Sequence, residues 1–197
     1  MTRRVKRAPR EYGAIMYLLR HGQSYFNLHF TETRRDPGIE DPELTPFGHD
    51  QARNAAQTLA CKAITRVIVS PYIRALQTAE PFRALGVPVE VWPEVRERTA
   101  FVCDVGSHPD KLAELFPQHD FSRLKPRWWH DDVESEGETI ARAEEFRAAM
   151  NGQDHETTLL VSHWGFILAL TGVSVTNGEF LDYDLGTPRP ERVSWRP

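Results

Sequence analysis

Arg20-His21-Gly22-Gln23-Ser24 follows directly on the apolar run Ile15-Met16-Tyr17-Leu18-Leu19. A buried strand is expected to end there in an arginine, a histidine and a glycine. In open α/β sheets, ligands bind beyond the carboxyl ends of the strands. Histidine can act as a covalent nucleophile, and the planar guanidinium of arginine matches a phosphate better than any other side chain. This stretch therefore points to phosphoryl chemistry on the His21 imidazole.

Three later segments fit the same site. Val67-Ile68-Val69-Ser70-Pro71 stops at Ser-Pro and is followed by Arg74, Ala75, Gln77 and Thr78. Glu97 comes shortly after the run Val87 to Trp92, and Thr158-Leu159-Leu160-Val161 ends in Ser162-His163-Trp164-Gly165. Apolar run, polar or cationic residue, turn into a helix is a pattern that recurs. A parallel sheet would bring all these strand ends to one edge.

Four blocks carry a resemblance to a known family. They are Leu19-Arg20-His21-Gly22-Gln23-Ser24 with Asn27, Leu44-Thr45-Pro46-Phe47-Gly48 with Gln51-Ala52, Ser70-Pro71-Tyr72-Ile73-Arg74-Ala75-Leu76-Gln77-Thr78-Ala79, and Ser162-His163-Trp164-Gly165. The chain resembles the histidine phosphatase superfamily, also called phosphoglycerate mutase-like, from about Tyr17 to about Gly172. Arg-His-Gly alone is a weak pattern, but the four blocks in this order are specific.

The residues take the following expected roles. His21 is the nucleophile, attacking phosphorus through a neutral imidazole nitrogen. Arg20 and Arg74 clamp the phosphoryl oxygens, and Asn27 donates to one of them unless it serves only to form a turn. The resemblance places His163 opposite His21, protonated and in contact with the phosphate. It also implies a glutamate after the third strand as general acid, here Glu97, with Glu94 and Asp104 as rivals because the glycine that often follows is replaced by Thr99-Ala100-Phe101. No ligand cluster with zinc or magnesium spacing is visible, so neither metal nor cofactor is expected.

The elements that must position these groups follow from periodicity. Thr45-Pro46 is a helix start, with Ala52, Ala55, Ala56 and Leu59 on one face. Strands are expected at 64–69, 87–92, 157–162 and, as an edge, 180–184. Helices are expected at 72–85, stopped by Gly86, at 138–150, and at 164–170, stopped by Gly172. The stretch from Ser24 to Pro42 reads as an irregular connection. Residues around 98–135, broken by Pro109, Pro117 and Pro126, read as an irregular insertion with a short helix near 111–116. Trp128-Trp129, with Lys125 and Arg127, either close over substrate or pack the insertion. The alternation predicts a three-layer α/β/α sandwich with a mainly parallel central sheet, and the resemblance implies the same phosphoglycerate mutase-like fold.

Composition bounds the remaining choices. With 197 residues, 40% of them hydrophobic, one domain is expected over 13–197, preceded by a basic, disordered arm over 1–12. Five of the 24 basic side chains fall in the first ten residues with no acid among them, so the rest carries 19 basic against 28 acidic side chains. An acidic body argues against nucleic-acid binding and makes a cationic pocket informative. No apolar run approaches the roughly 20 residues that span a bilayer. Cys61 and Cys103 form no Cys-x-x-Cys pair, which fits a reducing cytoplasm.

The resulting expectation is a cytoplasmic, metal-independent phosphomonoester hydrolase acting through a phosphohistidine on a small phosphorylated molecule, releasing inorganic phosphate. A phosphoglycerate mutase-type phosphotransferase and a non-catalytic phospho-ligand binder are the alternatives. The substrate and the oligomeric state are not legible.

Overall fold

The computed structural model describes residues 15–151, 153, 157–191 and 193–195; the expected basic arm over 1–12 lies outside them. Five strands form one sheet: β1 (Ile15–Arg20), β2 (Arg66–Val69), β3 (Val89–Val91), β4 (Thr158–Ser162) and β5 (Phe180–Asp184), in the order β3-β2-β4-β1-β5. β1, β2, β3 and β4 are mutually parallel, and β5 lies antiparallel on β1, with Leu19 opposite Phe180. All of β4 is buried, which is why Thr158-Leu159-Leu160-Val161-Ser162 reads as a continuous apolar run rather than an alternating one.

Both faces of the sheet are covered. Leu19, Val67, Val69, Leu159 and Val161 pack on one side against α2 (Pro46–Leu59) and α3 (Ile73–Ala84). Met16, Leu18, Ile68 and Leu160 pack on the other against α5 (Glu136–Met150) and α6 (Trp164–Thr171). This is the three-layer α/β/α arrangement with a mainly parallel sheet that the alternation of elements predicts.

Local chemistry fixes the helix ends. The Thr45 hydroxyl accepts from the Gly48 amide at 3.0 Å with Pro46 in the first turn. The Ser135 hydroxyl accepts from the Glu138 amide, so α5 starts two residues ahead of the expected 138. Gly172, at φ 76°, ends α6.

One expectation fails. Tyr25–Thr33, read as irregular, is a helix, α1. Ser24 caps it, and Asn27 Oδ1 accepts from the Ser24 amide at 3.0 Å, so a reciprocal capping box is built with asparagine where glutamate or glutamine is usual. Only Phe26 of this helix is buried, so no apolar stripe marks it in the sequence.

The stretch 98–135 is irregular as expected and holds the short α4 (Pro109–Leu115). It does more than decorate the surface. Phe116, Phe121, Leu124 and Trp128 join the core on the α2/α3 side. Trp128 meets Tyr72 edge to face and its indole N–H donates to the Ser107 carbonyl, so packing accounts for it.

Candidate active site

Strand register assembles the site. Arg20 of β1 lies level with Ser162 of β4, and Val161 lies level with Val69 of β2. The residues that follow, His21, His163 and Ser70, therefore emerge together at the carboxyl edge of the sheet. The His21 amide donates to the Ser162 carbonyl at 2.9 Å. The His21 and His163 rings stand 5.0 Å apart, centroid to centroid, tilted by 57°.

The loop after β1 is held from several sides. A Cβ on Gly22 would come within 2.4 Å of the Gly48 carbonyl oxygen, and one on Gly48 within 2.1 Å of the Gln23 oxygen, so only two glycines allow this backbone approach. The Gly22 amide donates to the Thr78 hydroxyl at 3.1 Å, and the Gln23 amide to Gln51 Oε1 at 2.8 Å. The second and third sequence blocks thus serve to fix the first. Asn177, which sequence reasoning passed over, donates from Nδ2 to the His21 carbonyl and to Asn27 Oδ1, both at 3.1 Å. Its only sequence signal is a polar residue before Gly178.

His21 is 3% exposed, and its Nδ1 stands 2.7 Å from the Gly22 carbonyl oxygen. A carbonyl can only accept, so the proton sits on Nδ1 and Nε2 keeps its lone pair. Burial, with Arg74 and Arg20 nearby, holds the His21 pKa well below the usual 6.5. His163 Nε2 lies 2.7 Å from Ser70 Oγ, while its Nδ1 is buried without a partner among the described residues. The expected protonated His163 is not what this arrangement favours. Burial first, then Arg74, His21 and Arg20, push its pKa well down as well.

Two guanidiniums flank the histidines. Arg74, in the first turn of α3, is 2% exposed. Its Cζ sits 4.2 Å above the Tyr72 ring, Nη1 donates to the Cys103 carbonyl at 2.9 Å, and Nη2 to Asp104 Oδ1 at 3.1 Å. Arg20 donates from Nη1 to the Val175 carbonyl at 2.8 Å, and its Nε is buried with no partner among the described residues. A buried unpaired donor beside a second guanidinium is a site that an oxyanion completes. Burial brings the Arg20 pKa down to about 10, still far above neutrality.

Glu97 faces these groups across a cavity of about 240 Å³ lined also by Arg20, His21, Asn27, Arg74 and Asp104. Its Oε1 accepts from the Arg98 amide at 2.8 Å and the Gly165 amide at 2.9 Å. A Cβ on Gly165 would sit 2.5 Å from that oxygen, so the glycine after His163-Trp164 makes room for the carboxyl. Burial, then the charge of Asp104, raises the Glu97 pKa to about 7. Of its rivals, Asp104 reaches the cavity but is committed. Its Oδ1 takes Arg74, and its Oδ2 takes the Ala100 and Phe101 amides at 3.0 and 3.1 Å. Glu94 lies outside the cavity lining. Among the described residues no group of three His, Cys, Asp or Glu side chains is placed to hold a metal ion.

The histidine phosphatase superfamily (branch 1) model matches residues 16–183. The chain belongs to the histidine phosphatase superfamily. Human 6-phosphofructo-2-kinase/fructose-2,6-bisphosphatase 4 is 32% identical over 152 residues, covering 75% of this chain and 30% of the relative. A Proteus mirabilis protein described as probable phosphoglycerate mutase GpmB is 31% identical over 155 residues, covering 75% of this chain and 68% of the relative. The chain thus spans under a third of the length of the bifunctional human relative. Among solved structures, a mycobacterial glucosyl-3-phosphoglycerate phosphatase in complex with VO3 superposes with a TM-score of 0.60 at 22% identity, over 89% of this chain and 95% of that one. The phosphoserine phosphatase of Entamoeba histolytica, in complex with 3-phosphoglyceric acid, gives 0.57 at 19% identity, over 85% and 89%. At these identities the likeness establishes the phosphoglycerate mutase-like fold. In this superfamily member the residues singled out in the sequence, Arg20, His21, Arg74, Glu97 and His163, converge on one strand edge. Asn27 lines the cavity too, but its Oδ1 is spent on the α1 cap and on Asn177, leaving only Nδ2 to donate.

Proposed function

We propose that this protein is a phosphomonoester hydrolase that works through a phosphohistidine on His21 and needs no metal. The observation that carries this reading is the state of His21, its proton fixed on Nδ1 by Gly22 and its Nε2 lone pair free between two guanidiniums.

The phosphoryl group enters between Arg20 and Arg74, whose charge compensates the three equatorial oxygens as the ester bond loosens. Nε2 of His21 forms the N–P bond while the P–O ester bond breaks. The departing alkoxide takes the proton from Glu97, which holds it at neutral pH because its pKa stands near 7. In the second half, Glu97 as carboxylate takes a proton from water. The water oxygen bonds to phosphorus, the N–P bond breaks back to neutral His21, and inorganic phosphate leaves. An incoming dianion also opposes Arg74 and Arg20, which with burial depress His163, so its unpartnered Nδ1 can gain a proton and donate to the phosphate.

The test is rapid quenching with radiolabelled phosphomonoester. Wild type is expected to carry acid-labile, base-stable label, and His21→Ala none, with turnover down on the order of 10⁴-fold or more. Activity retained in His21→Ala overturns the mechanism.

A further inference from the structure

The cavity that holds the phosphate-gripping groups is also lined by rings. α1 presents Phe26 and Phe30 one turn apart, with centroids 5.2 Å apart and planes within 15°. Phe101 closes this cluster at 5.2 Å from Phe26 and 5.1 Å from Phe30. Trp164 and Trp195, 6.3 Å apart and nearly perpendicular, line the same cavity. Phe26 is buried, but its two ring partners are not. Phe101 is 40% exposed and Phe30 half-buried, and both line the cavity that holds His21 and Glu97. Apolar surface kept open beside a reactive centre marks a binding surface.

Two polar groups beside these rings are engaged. The Trp164 indole N–H donates to Ser174 Oγ at 2.9 Å. Arg98 Nε donates to the Glu134 carbonyl at 2.8 Å, and its Cζ lies 5.5 Å over the Trp195 ring. A polyol leaving group would need donors and acceptors matched to its hydroxyls, and burying it against phenyl faces would leave them unpaired. A flat ring instead finds edge-to-face and offset-stacked partners on both sides. The space suffices: an apolar cavity of about 150 Å³ holds benzene, and here about 240 Å³ must take the ring and the phosphoryl group together.

We infer that the leaving group of the substrate carries a flat aromatic ring close to the ester oxygen, seated between the Phe26–Phe30–Phe101 cluster and Trp164. This rests on the hydrolase reading above, in that the phosphoryl group is taken to sit at His21. The substrate class is a small aryl or arylmethyl phosphate.

Phosphonates test this without turnover, because their C–P bond cannot be hydrolysed here. Affinities of methylphosphonate, cyclohexylmethylphosphonate and benzylphosphonate are measured by titration calorimetry on the full chain. Benzylphosphonate is expected to bind at least about tenfold tighter than methylphosphonate, and about threefold or more tighter than the cyclohexylmethyl compound, reflecting ring-on-ring geometry. Phe101→Ala should bring the benzyl-to-methyl ratio to about threefold or less, and Phe101→Tyr, which keeps a ring, should restore it. Equal affinity for benzyl and methyl compounds overturns the inference, as does equal affinity for benzyl and cyclohexylmethyl compounds. Unchanged discrimination in Phe101→Ala overturns the placement of the ring. Absence of binding by methylphosphonate and inorganic phosphate alike overturns the hydrolase reading itself, and this inference with it.

Discussion

Asp104 meets Arg74 at 3.1 Å with both side chains almost wholly withdrawn from solvent. Its second oxygen takes the Ala100 and Phe101 amides, so one carboxylate fixes both a cationic clamp and the wall segment that carries Phe101. The same charge, next after burial, raises the Glu97 pKa. Burial raises the pKa of both carboxyls, but Arg74 and two backbone amides favour the charged form of Asp104, so two like groups are held differently.

Asp104→Asn should therefore move the pH profile. Glu97 must be protonated to deliver its proton, so kcat/KM falls as pH rises through the Glu97 pKa near 7. Removing the Asp104 charge, and freeing that of Arg74, both favour the Glu97 carboxylate and lower this pKa. The alkaline limb should shift to lower pH, measured on an alkyl phosphate across pH 5–9. A limb that stays near 7 would show that Asp104 does not set the Glu97 proton. The variant should also lower Tm, because removing one partner of a buried pair typically costs about 3–5 kcal/mol.

Much of this site was legible in the sequence because its residues sit at strand ends, where an apolar run makes the boundary plain. Arg20, His21 and His163 could be placed by that rule alone. Glu97 follows from the resemblance, which implies a glutamate after the third strand, although Thr99-Ala100-Phe101 stands where a glycine often follows. What the sequence did not disclose are contacts between distant loops. Asn177 reaches the His21 carbonyl across 156 positions, and no local pattern marks it. α1 stayed hidden because Phe26 is its one buried residue and Phe26 and Phe30 line a cavity, which removes the stripe that periodicity detects. The charge state of His163 is likewise not legible locally, because burial and the arginines that the fold brings beside it together lower its pKa.

Metal dependence offers a second test. In the proposed mechanism the two guanidiniums supply the positive charge that divalent ions supply in other phosphoryl-transfer sites. Turnover of a chromogenic phosphomonoester should persist in EDTA, and vanadate, which mimics the trigonal transition state, should inhibit it. Loss of activity in EDTA that zinc or magnesium restores would transfer the Lewis-acid role to an ion and leave Arg20 and Arg74 as auxiliary groups.

Glu97→Gln separates proton delivery from binding. Gln keeps an oxygen that can accept from the Arg98 and Gly165 amides, so the local geometry should survive. It cannot give up a proton to an alkoxide. Alkyl phosphates, whose leaving groups need that proton, should slow by about 10²–10⁴-fold. p-Nitrophenyl phosphate should be phosphorylated on His21 at nearly the wild-type rate, since nitrophenolate leaves unaided, and a burst should appear if hydrolysis of the phosphoenzyme is slowed. Stability supplies an independent readout. The folded-state pKa of Glu97 lies near 7, above the usual 4.5. The stability of the protonated form is therefore fully present below pH 4.5 and is lost as pH rises through about 7. Relative to the variant, wild type should lose about 1–3 kcal/mol over that window, read as a Tm difference that grows from pH 4.5 to 8. Equal, small effects on both substrates together with a pH-independent Tm difference would remove Glu97 from proton transfer and return the role to Asp104.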